Sequence, residues 1–221
     1  MIDLYTWQTP NGFKLSIMLE ELGWDYNVHE INIGKDEQFD PAFLRICPNS
    51  KIPALTDSDG PDGEPITMFE SGAILIYLAN KAGQFISADP RHHMEEIQWV
   101  MFQVANVGPM FGQTHHFRSK REAEFSYPRM RYLRETQRLY AVMNSRLKQS
   151  KYLAGPDYGV ADIATWPWVS RFEWHEIDWA DYPHLKRWFD GIWARPAVKR
   201  GRAVPCIGAI WSGAFPEQGK I

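Results

Sequence analysis

Two short stretches decide the fold of this 221-residue chain: Asn49-Ser50-Lys51-Ile52-Pro53-Ala54-Leu55 and Phe69-Glu70-Ser71-Gly72-Ala73-Ile74. In the first, Pro53 lacks an N–H and its bond to Ile52 is a cis candidate, so the loop can present one free backbone edge. In the second, an apolar strand turns into an apolar helix at Glu70-Ser71, where unpaired N–H groups and a positive dipole end lie beside a carboxylate. A ligand held there would need a peptide-like backbone, a carboxylate and an ammonium group.

The composition is that of an ordinary globular chain, with 44% hydrophobic and 23% charged residues. The net charge of -3 gives no reason to expect nucleic acid or an anionic membrane as a partner. No apolar run reaches the roughly 18 residues of a membrane span, and the N-terminus lacks the regions of a signal peptide. We therefore expect a cytoplasmic protein that binds neither nucleic acid nor membranes.

The chain has two cysteines, Cys47 and Cys206, which form neither a CxxC pair nor a zinc-binding spacing. We expect Cys47 to be a buried, inert thiol, because nothing near it in the sequence would activate it. Thiol chemistry would then use a thiol that the ligand brings. We also predict no metal site, because the adjacent His115 and His116 would point about 100° apart on a helix, and no cysteine or carboxylate completes a ligand set.

The predicted elements divide the chain into two domains and a tail. Residues 1–82 contain a strand-helix-strand unit followed by two strands and a helix, which predicts a thioredoxin-like α/β domain. Residues 90–204 show helical periodicity without a convincing strand, which predicts an all-α bundle, and residues 205–221 are predicted to form an irregular tail. A break is expected at Gly108-Pro109. A buried stripe is expected at Leu133, Tyr140, Met143 and Leu147.

Three motifs make the chain resemble the cytosolic glutathione transferases: Pro48-Asn49-Ser50-Lys51-Ile52-Pro53-Ala54-Leu55, Phe69-Glu70-Ser71-Gly72-Ala73-Ile74 and Gly159-Val160-Ala161-Asp162-Ile163-Ala164. In the third motif Gly159 stands where the family usually has Ser or Thr, and Asp162 should still reach the backbone N–H groups of that turn. The resemblance implies the fold of that family, with glutathione as a co-substrate and no metal.

A narrower resemblance is to the nu-class transferases, bacterial glutathione-dependent disulfide-bond oxidoreductases related to the yeast nitrogen regulator of this fold. It is carried by Thr9-Pro10-Asn11-Gly12, by Gly34-Lys35 with Gln38-Phe39, and by Gly108-Pro109-Met110-Phe111-Gly112-Gln113 with His115-His116-Phe117. It implies a homodimer that performs thiol–disulfide exchange on a small-molecule disulfide with bound glutathione or glutathione disulfide. Two alternatives stay open: a glutathione transferase or organic hydroperoxide peroxidase acting on electrophiles, and a non-catalytic glutathione-binding regulator.

The resemblance also implies how glutathione is held. The Ile52 backbone would pair with the cysteinyl unit, Glu70 would take the γ-glutamyl ammonium, and Ser71 would take the γ-glutamyl carboxylate. Gln38 would be a further ligand, Lys51 would attract the glycyl carboxylate, and Arg131 would reach a carboxylate either in its own subunit or across the dimer. Taken alone, these last three residues would be solvated surface. The predicted glutathione-binding set is Asn11, Gln38, Lys51, Ile52, Pro53, Glu70, Ser71 and Arg131.

The turn after the first strand carries no cysteine, and Tyr5 lies inside the strand, away from the position of the family's catalytic tyrosine. Only hydrogen-bond donors then remain to act on the thiol of glutathione. The Thr9 hydroxyl, the Asn11 amide and the helix N-terminus favour thiolate over thiol, which lowers a thiol pKa from about 8.5. The same donors can stabilise the sulfur that leaves a disulfide. We therefore expect Thr9 and Asn11 to be catalytic, with turn capping as the alternative role. A second-substrate pocket is expected at Phe111, Gln113, His115 and Phe117.

Overall fold

A computed structural model describes residues 1–120 and 122–205, so the predicted tail lies outside the described residues except for Pro205. The strands in these ranges are β1 (Ile2–Thr6), β2 (Tyr26–Glu30), β3 (Ala54–Asp57) and β4 (Ile66–Phe69). The α-helices are α1 (Pro10–Leu22), α2 (Pro41–Leu44), α3 (Ser71–Ala82), α4 (Pro90–Phe102), α5 (Gly108–Phe117), α6 (Ser126–Gln149), α7 (Val160–Val169), α8 (Pro183–Trp193) and α9 (Pro196–Arg202).

The four strands form one mixed sheet in the order β2-β1-β3-β4. β1 is parallel to β2, whereas β1 with β3 and β3 with β4 are antiparallel. The parallel pair is joined through α1, and α3 follows the β3-β4 hairpin. This topology confirms the predicted thioredoxin-like arrangement.

The helices from α4 onward form an all-α domain, as predicted. In α6 the predicted stripe is buried, with Tyr140, Met143 and Leu147 each at 0% exposure. The break expected at Gly108-Pro109 is placed earlier, because a π-helical turn at Gln103–Val107 joins α4 to α5. Pro109 has no N–H to donate to the carbonyl four residues before it, and the wider π turn lets the chain continue as a helix from Gly108.

Helix α1 lies between the sheet and the helical domain, at van der Waals distance from both. A Cβ on Gly12 would lie 2.2 Å from the Trp7 carbonyl oxygen and 2.5 Å from the Thr6 Oγ1, so the end of β1 and the residue after it can lie this close to α1 only at a glycine. On the other side, a Cβ on Gly201 of α9 would lie 2.5 Å from the Ile17 Cα. The Ser16 Oγ also donates to the Gly201 carbonyl oxygen at 2.6 Å. The two domains are therefore held together along α1.

Asp162 at the start of α7 is fully buried and accepts three hydrogen bonds. Its Oδ1 accepts from the Leu153 N–H at 3.0 Å and from the Trp188 Nε1–H at 2.6 Å, and its Oδ2 accepts from the Gly159 N–H at 3.1 Å. The predicted contact with the N–H groups of this turn is confirmed. The bond from the Gly159 N–H to the Asp162 carboxylate is the half of a capping box in which the third helical residue reaches back to the N-cap.

Replacing Asp162 with alanine should lower the free energy of unfolding by about 3–5 kcal/mol, because three buried N–H donors lose their acceptor. Chemical denaturation followed by tryptophan fluorescence measures the change. The matched control is Asp190→Ala, which removes a carboxylate that pairs with Lys186 at 2.6 Å while 43% exposed. That control should change stability by at most about 1 kcal/mol. Equal losses in the two variants would contradict the assigned role of Asp162.

Candidate functional site

A cleft of about 220 Å³ lies where the turn into α1, the loop before β3 and the start of α3 meet. The residues that line it are Asn11, Cys47, Asn49, Lys51, Ile52, Pro53, Phe69, Glu70 and Ser71. Asn49, Phe69 and Cys47 are additions to the set predicted from the sequence, and the other residues all belong to that set. The structure therefore brings the two opening stretches and Asn11 onto one surface.

The Ile52–Pro53 peptide bond is cis, which confirms the cis candidate in the sequence. The Ile52 side chain is 9% exposed and packs in a small cluster with Phe43 and Cys47, so the loop is anchored from below. Within residues 1–120 and 122–205, the N–H and C=O of Ile52 take part in no backbone–backbone hydrogen bond. An extended peptide can therefore pair with Ile52 as an added strand would.

The junction of β4 and α3 forms the opposite wall of the cleft. Glu70 has φ 72° and ψ 103°, a conformation that costs a residue other than glycine about 1–3 kcal/mol. Its carbonyl oxygen accepts from the Ile74 N–H at 3.0 Å, and its side chain forms no capping hydrogen bond. The first N–H groups of α3 thus have no partner within the helix. Together with the helix dipole they favour an anion beside Ser71.

Lys14 belongs to this wall and was not predicted from the sequence. It is 1% exposed, and its Nζ donates to the Ser71 Oγ at 3.0 Å and to the Gln103 Oε1 at 2.6 Å. Burial lowers the pKa of Lys14 to about 7, and the negative charge of Glu70 partly opposes this shift. Its sequence position could have indicated burial, because Lys14 precedes Ile17 by three residues and Met18 by four, which places it on the buried face of α1.

The two residues predicted to be catalytic have different surroundings. The Thr9 Oγ1 accepts from the Gly12 N–H at 3.1 Å, so Thr9 is the N-cap of α1, and it is not among the residues that line the cleft. Asn11 does line the cleft, and its Oδ1 accepts from the Trp168 Nε1–H at 2.9 Å. An indole N–H is only a donor, so this bond fixes the amide orientation and leaves Nδ2 as the donor group of Asn11.

Trp168 on α7 therefore orients the amide of Asn11 from the helical domain, across 157 residues of sequence. Its ring packs on two glycines of α5, since a Cβ on Gly112 or Gly108 would lie 3.6 or 3.7 Å from ring carbons. The ring also stacks on His115 with centroids 5.6 Å apart. No short-range sequence pattern links Trp168 to the first turn, and this residue was not predicted.

His115 is half-buried and belongs to a chain of polar rings that continues into the core. Its Nε2 lies 2.7 Å from the His175 Nε2, and the His175 Nδ1 lies 2.8 Å from the Tyr140 Oη. Burial lowers the pKa of His115 to about 3, with Arg171 and Arg118 contributing in the same direction. Burial also lowers the pKa of His175 well below its usual range. Both imidazoles are therefore neutral near pH 7, and one N–H is shared between them.

The four residues predicted for a second-substrate pocket do not lie on one surface. Phe111 is fully buried and stacks on Tyr140 at 5.1 Å, so its assignment to a pocket is corrected to the core. Gln113 is exposed two positions further along α5, about 200° around the helix from Phe111. Phe117 shares the face of Gln113 and stacks on Tyr132 at 5.6 Å. Helical periodicity separates these residues, although the sequence places them together.

Arg131 and Gln38 are not among the residues that line the first cleft. Arg131 is exposed on α6 and lines a second cleft of about 700 Å³ between α5 and α6. Gln38 is half-buried after β2, and its Nε2 lies 3.3 Å from the Asp36 Oδ1. Their roles in glutathione binding stay predictions.

The described residues contain neither a metal-binding cluster nor a membrane-spanning helix. In residues 1–120 and 122–205, no group of three or more His, Cys, Asp or Glu side chains is arranged to hold a metal ion. Among the helices described there, none has the length and apolarity needed to cross a bilayer. Cys47 is a free thiol with 1% exposure, and its predicted burial is confirmed.

Known proteins share both domains of this chain. Residues 1–80 match the family model "Glutathione S-transferase, N-terminal domain", and residues 94–196 match "Glutathione S-transferase, C-terminal domain". The disulfide-bond oxidoreductase YfcG of Escherichia coli (strain K12) is 50% identical over 199 residues, which cover 90% of this chain and 93% of that protein.

Two solved structures resemble the fold and carry ligands. A glutathione transferase from Burkholderia graminis, with two glutathione molecules bound per subunit, has a TM-score of 0.89 and 45% identity, and the match covers 94% of this chain and 89% of that chain. A glutathione transferase from Pseudomonas putida, with one glutathione disulfide bound per subunit, has a TM-score of 0.87 and 40% identity, covering 92% of this chain and 91% of that chain. By its sequence, its two domains and its cleft, this chain belongs to the glutathione S-transferase family.

Proposed function

We propose that this chain is a glutathione-dependent disulfide-bond oxidoreductase, similar to the nu-class enzymes, in which bound glutathione supplies the reacting thiol. The observation that carries the proposal is the Asn11 amide, held by Trp168 at the cleft in a turn that contains no cysteine. The 50% identity to the disulfide-bond oxidoreductase YfcG supports it, as do the glutathione and the glutathione disulfide bound in the two solved relatives.

In the proposed binding mode, glutathione lies extended across the cleft. The Ile52 backbone pairs with the cysteinyl unit beside Pro53, and Glu70 and Ser71 take the γ-glutamyl ammonium and carboxylate. This orientation brings the thiol towards Asn11. The Nδ2–H of Asn11 and the N-terminus of α1, which Thr9 caps, then favour the thiolate. Lys51, at the exposed rim, attracts the glycyl carboxylate.

The proposed reaction takes place in two exchange steps. The thiolate of one glutathione attacks a sulfur of the substrate disulfide, its S–S bond breaks, and the second sulfur leaves as a thiolate that takes up a proton. A second glutathione thiolate attacks the glutathione sulfur of this mixed disulfide and releases the remaining substrate thiol. Two glutathiones and one disulfide thus become glutathione disulfide and two thiols, and no protein cysteine changes its oxidation state.

The cysteine-free mechanism is tested in the double variant Cys47→Ser with Cys206→Ser. Within the described residues, Cys47 is the cysteine that lines the cleft, so the variant tests whether its thiol substitutes for a second glutathione. Turnover of 2-hydroxyethyl disulfide with glutathione, coupled to glutathione reductase, should stay within about threefold of the parent, since neither thiol takes part. Loss of turnover with unchanged glutathione affinity would contradict this mechanism. Chlorodinitrobenzene and cumene hydroperoxide, assayed in parallel, measure the transferase and peroxidase alternatives.

The role of Asn11 predicts a separation of rate from binding. Asn11→Ala should lower kcat about 10- to 100-fold while glutathione affinity changes by less than about threefold, because a donor to a developing thiolate is lost. Trp168→Phe keeps an aromatic side chain and removes the hydrogen bond that orients the Asn11 amide, so it should also lower kcat, by a smaller factor. Steady-state kinetics and calorimetry with glutathione give the two quantities.

A matched control for Trp168→Phe is available on the same helix. Trp166→Phe removes an indole N–H that donates to the Phe189 carbonyl oxygen at 3.1 Å, away from the cleft. It should lower stability without changing kcat. If the two tryptophan variants have the same kcat, Trp168 has no influence on the reaction through Asn11.

We further propose that the enzyme is a homodimer and that Arg131 reaches a glutathione carboxylate held by the partner subunit. Large apolar side chains are exposed at Met94 and Met101 on α4 and at Tyr127 and Met130 on α6, with 62%, 45%, 72% and 38% exposure. Of these four side chains, Tyr127 and Met130 line the second cleft together with Arg131.

Arg131→Ala should raise the KM for glutathione about tenfold, because a charge-assisted hydrogen bond is lost, and should leave the molecule dimeric. The control is Arg134→Ala, which removes a second arginine of the same cleft and should leave KM unchanged. Light scattering measures the mass of each variant. A monomeric parent enzyme would contradict the proposed dimer. An unchanged KM in Arg131→Ala would contradict the proposed contact with glutathione.

A further inference from the structure

Lys14 is an ionisable side chain buried at a place where the packing of the fold does not require a charge. Its side chain is 1% exposed on α1, in contact with α3 and the π-helical turn. Removing an ammonium group from water costs several kcal/mol, and replacing a buried charge with an apolar side chain of similar size is often neutral or stabilising. A function outside the packing of α1 would explain why a lysine occupies this position.

The charge of Lys14 is only partly compensated by the protein. An ammonium group has three donors and no acceptor, and the two acceptors that Nζ contacts, Ser71 and Gln103, are both neutral. None of the salt bridges formed by the described residues involves Lys14. The carboxylate of Glu70 acts on it from a longer distance. An additional anion nearby would therefore be attracted.

The hydrogen bond from Lys14 also determines the direction in which the Ser71 hydroxyl proton points. Because the Ser71 Oγ accepts from the ammonium of Lys14, its own proton must be directed to another acceptor. Ser71 lines the cleft and is the first residue of α3, next to the unpaired N–H groups of that helix. A carboxylate at this point would receive the hydroxyl proton and the N–H groups, with the buried charge directly behind.

We propose that Lys14 is a positioning residue for the γ-glutamyl carboxylate of glutathione, which it recognises through Ser71. Gln103 holds the same ammonium from the π-helical turn, so the helical domain takes part in recognition at the α/β domain. This inference rests on the proposed function for the identity of the ligand. It adds a specificity: the cleft discriminates against glutathione analogues that lack the γ-glutamyl carboxylate.

Other charged side chains on the elements packed against α1 are engaged elsewhere. They are Asp3 of β1 with His29, Lys81 of α3 with Asp57, Asp162 of α7 with the groups given above, Lys199 of α9 over the Trp193 ring, Arg200 of α9 with Glu20, and Arg202 of α9 over the Phe13 ring. Glu70, at the start of α3, is thus the charged group that acts on Lys14 from the cleft.

The test compares two non-reactive probes, so disulfide chemistry does not affect it. S-methylglutathione carries the γ-glutamyl carboxylate, and S-methylated 4-aminobutyryl-cysteinylglycine lacks it. Calorimetry should show that Lys14→Met binds the first probe about 10- to 100-fold more weakly than the parent, and binds the second within about twofold. Equal losses for both probes would overturn the proposal, because they indicate a general structural role. Lys81→Met, at the far end of α3, is the matched control and should leave both affinities unchanged.

A measurement on the parent enzyme decides the question even if Lys14→Met fails to fold. As the pH rises from about 6 to 8, Lys14 loses its proton and with it the attraction for a carboxylate, so S-methylglutathione should bind several-fold more weakly. The affinity of the decarboxylated probe should stay constant. Identical pH profiles for the two probes would overturn the inference while leaving the proposed function intact. If the parent enzyme fails to bind S-methylglutathione at any pH, the proposed function fails as well.

Discussion

The close packing of α1 against both domains is the constraint on which the rest of the structure depends. Gly12 lets the helix approach β1, and Gly201 lets α9 approach the helix, so backbone meets backbone on two sides. A helix fixed in this way presents Asn11 and Lys14 at set positions, one towards Trp168 and one towards Ser71. The cleft is therefore a product of the contact between the domains, even though most of its lining comes from the α/β domain alone.

The secondary structure and the fold class were predictable from the sequence, and the long-range side-chain contacts of the site were not. The predicted order of strands and helices in residues 1–82 occurs in the structure, and the cis bond at Pro53 was a candidate, because strand patterning and proline chemistry act over a few residues. Trp168 and Gln103 act on residues far away in the chain, and no sequence period encodes such a pairing. Phe111 shows the opposite error, since a shared motif suggested a shared surface that helical geometry does not allow.

The charges of the site are distributed unequally between its two ends. At the start of α3, the dipole of the helix and the ammonium of Lys14 supply positive potential for a carboxylate. At the start of α1, the group offered to the thiol is a neutral amide, and the nearby imidazoles of His115 and His175 are uncharged. In the proposed enzyme, strong electrostatics would therefore serve to hold the ligand, while the reacting sulfur would be tuned by weaker hydrogen bonds.

The turn that presents Asn11 in place of a cysteine has a thermodynamic consequence. A protein dithiol has a reduction potential of its own, and that potential biases every exchange in which the dithiol takes part. An enzyme whose reacting thiol belongs to the ligand adds no redox couple of its own. The direction of net reaction would then be set by the ratio of reduced to oxidised glutathione around it, and the protein would accelerate oxidation and reduction alike.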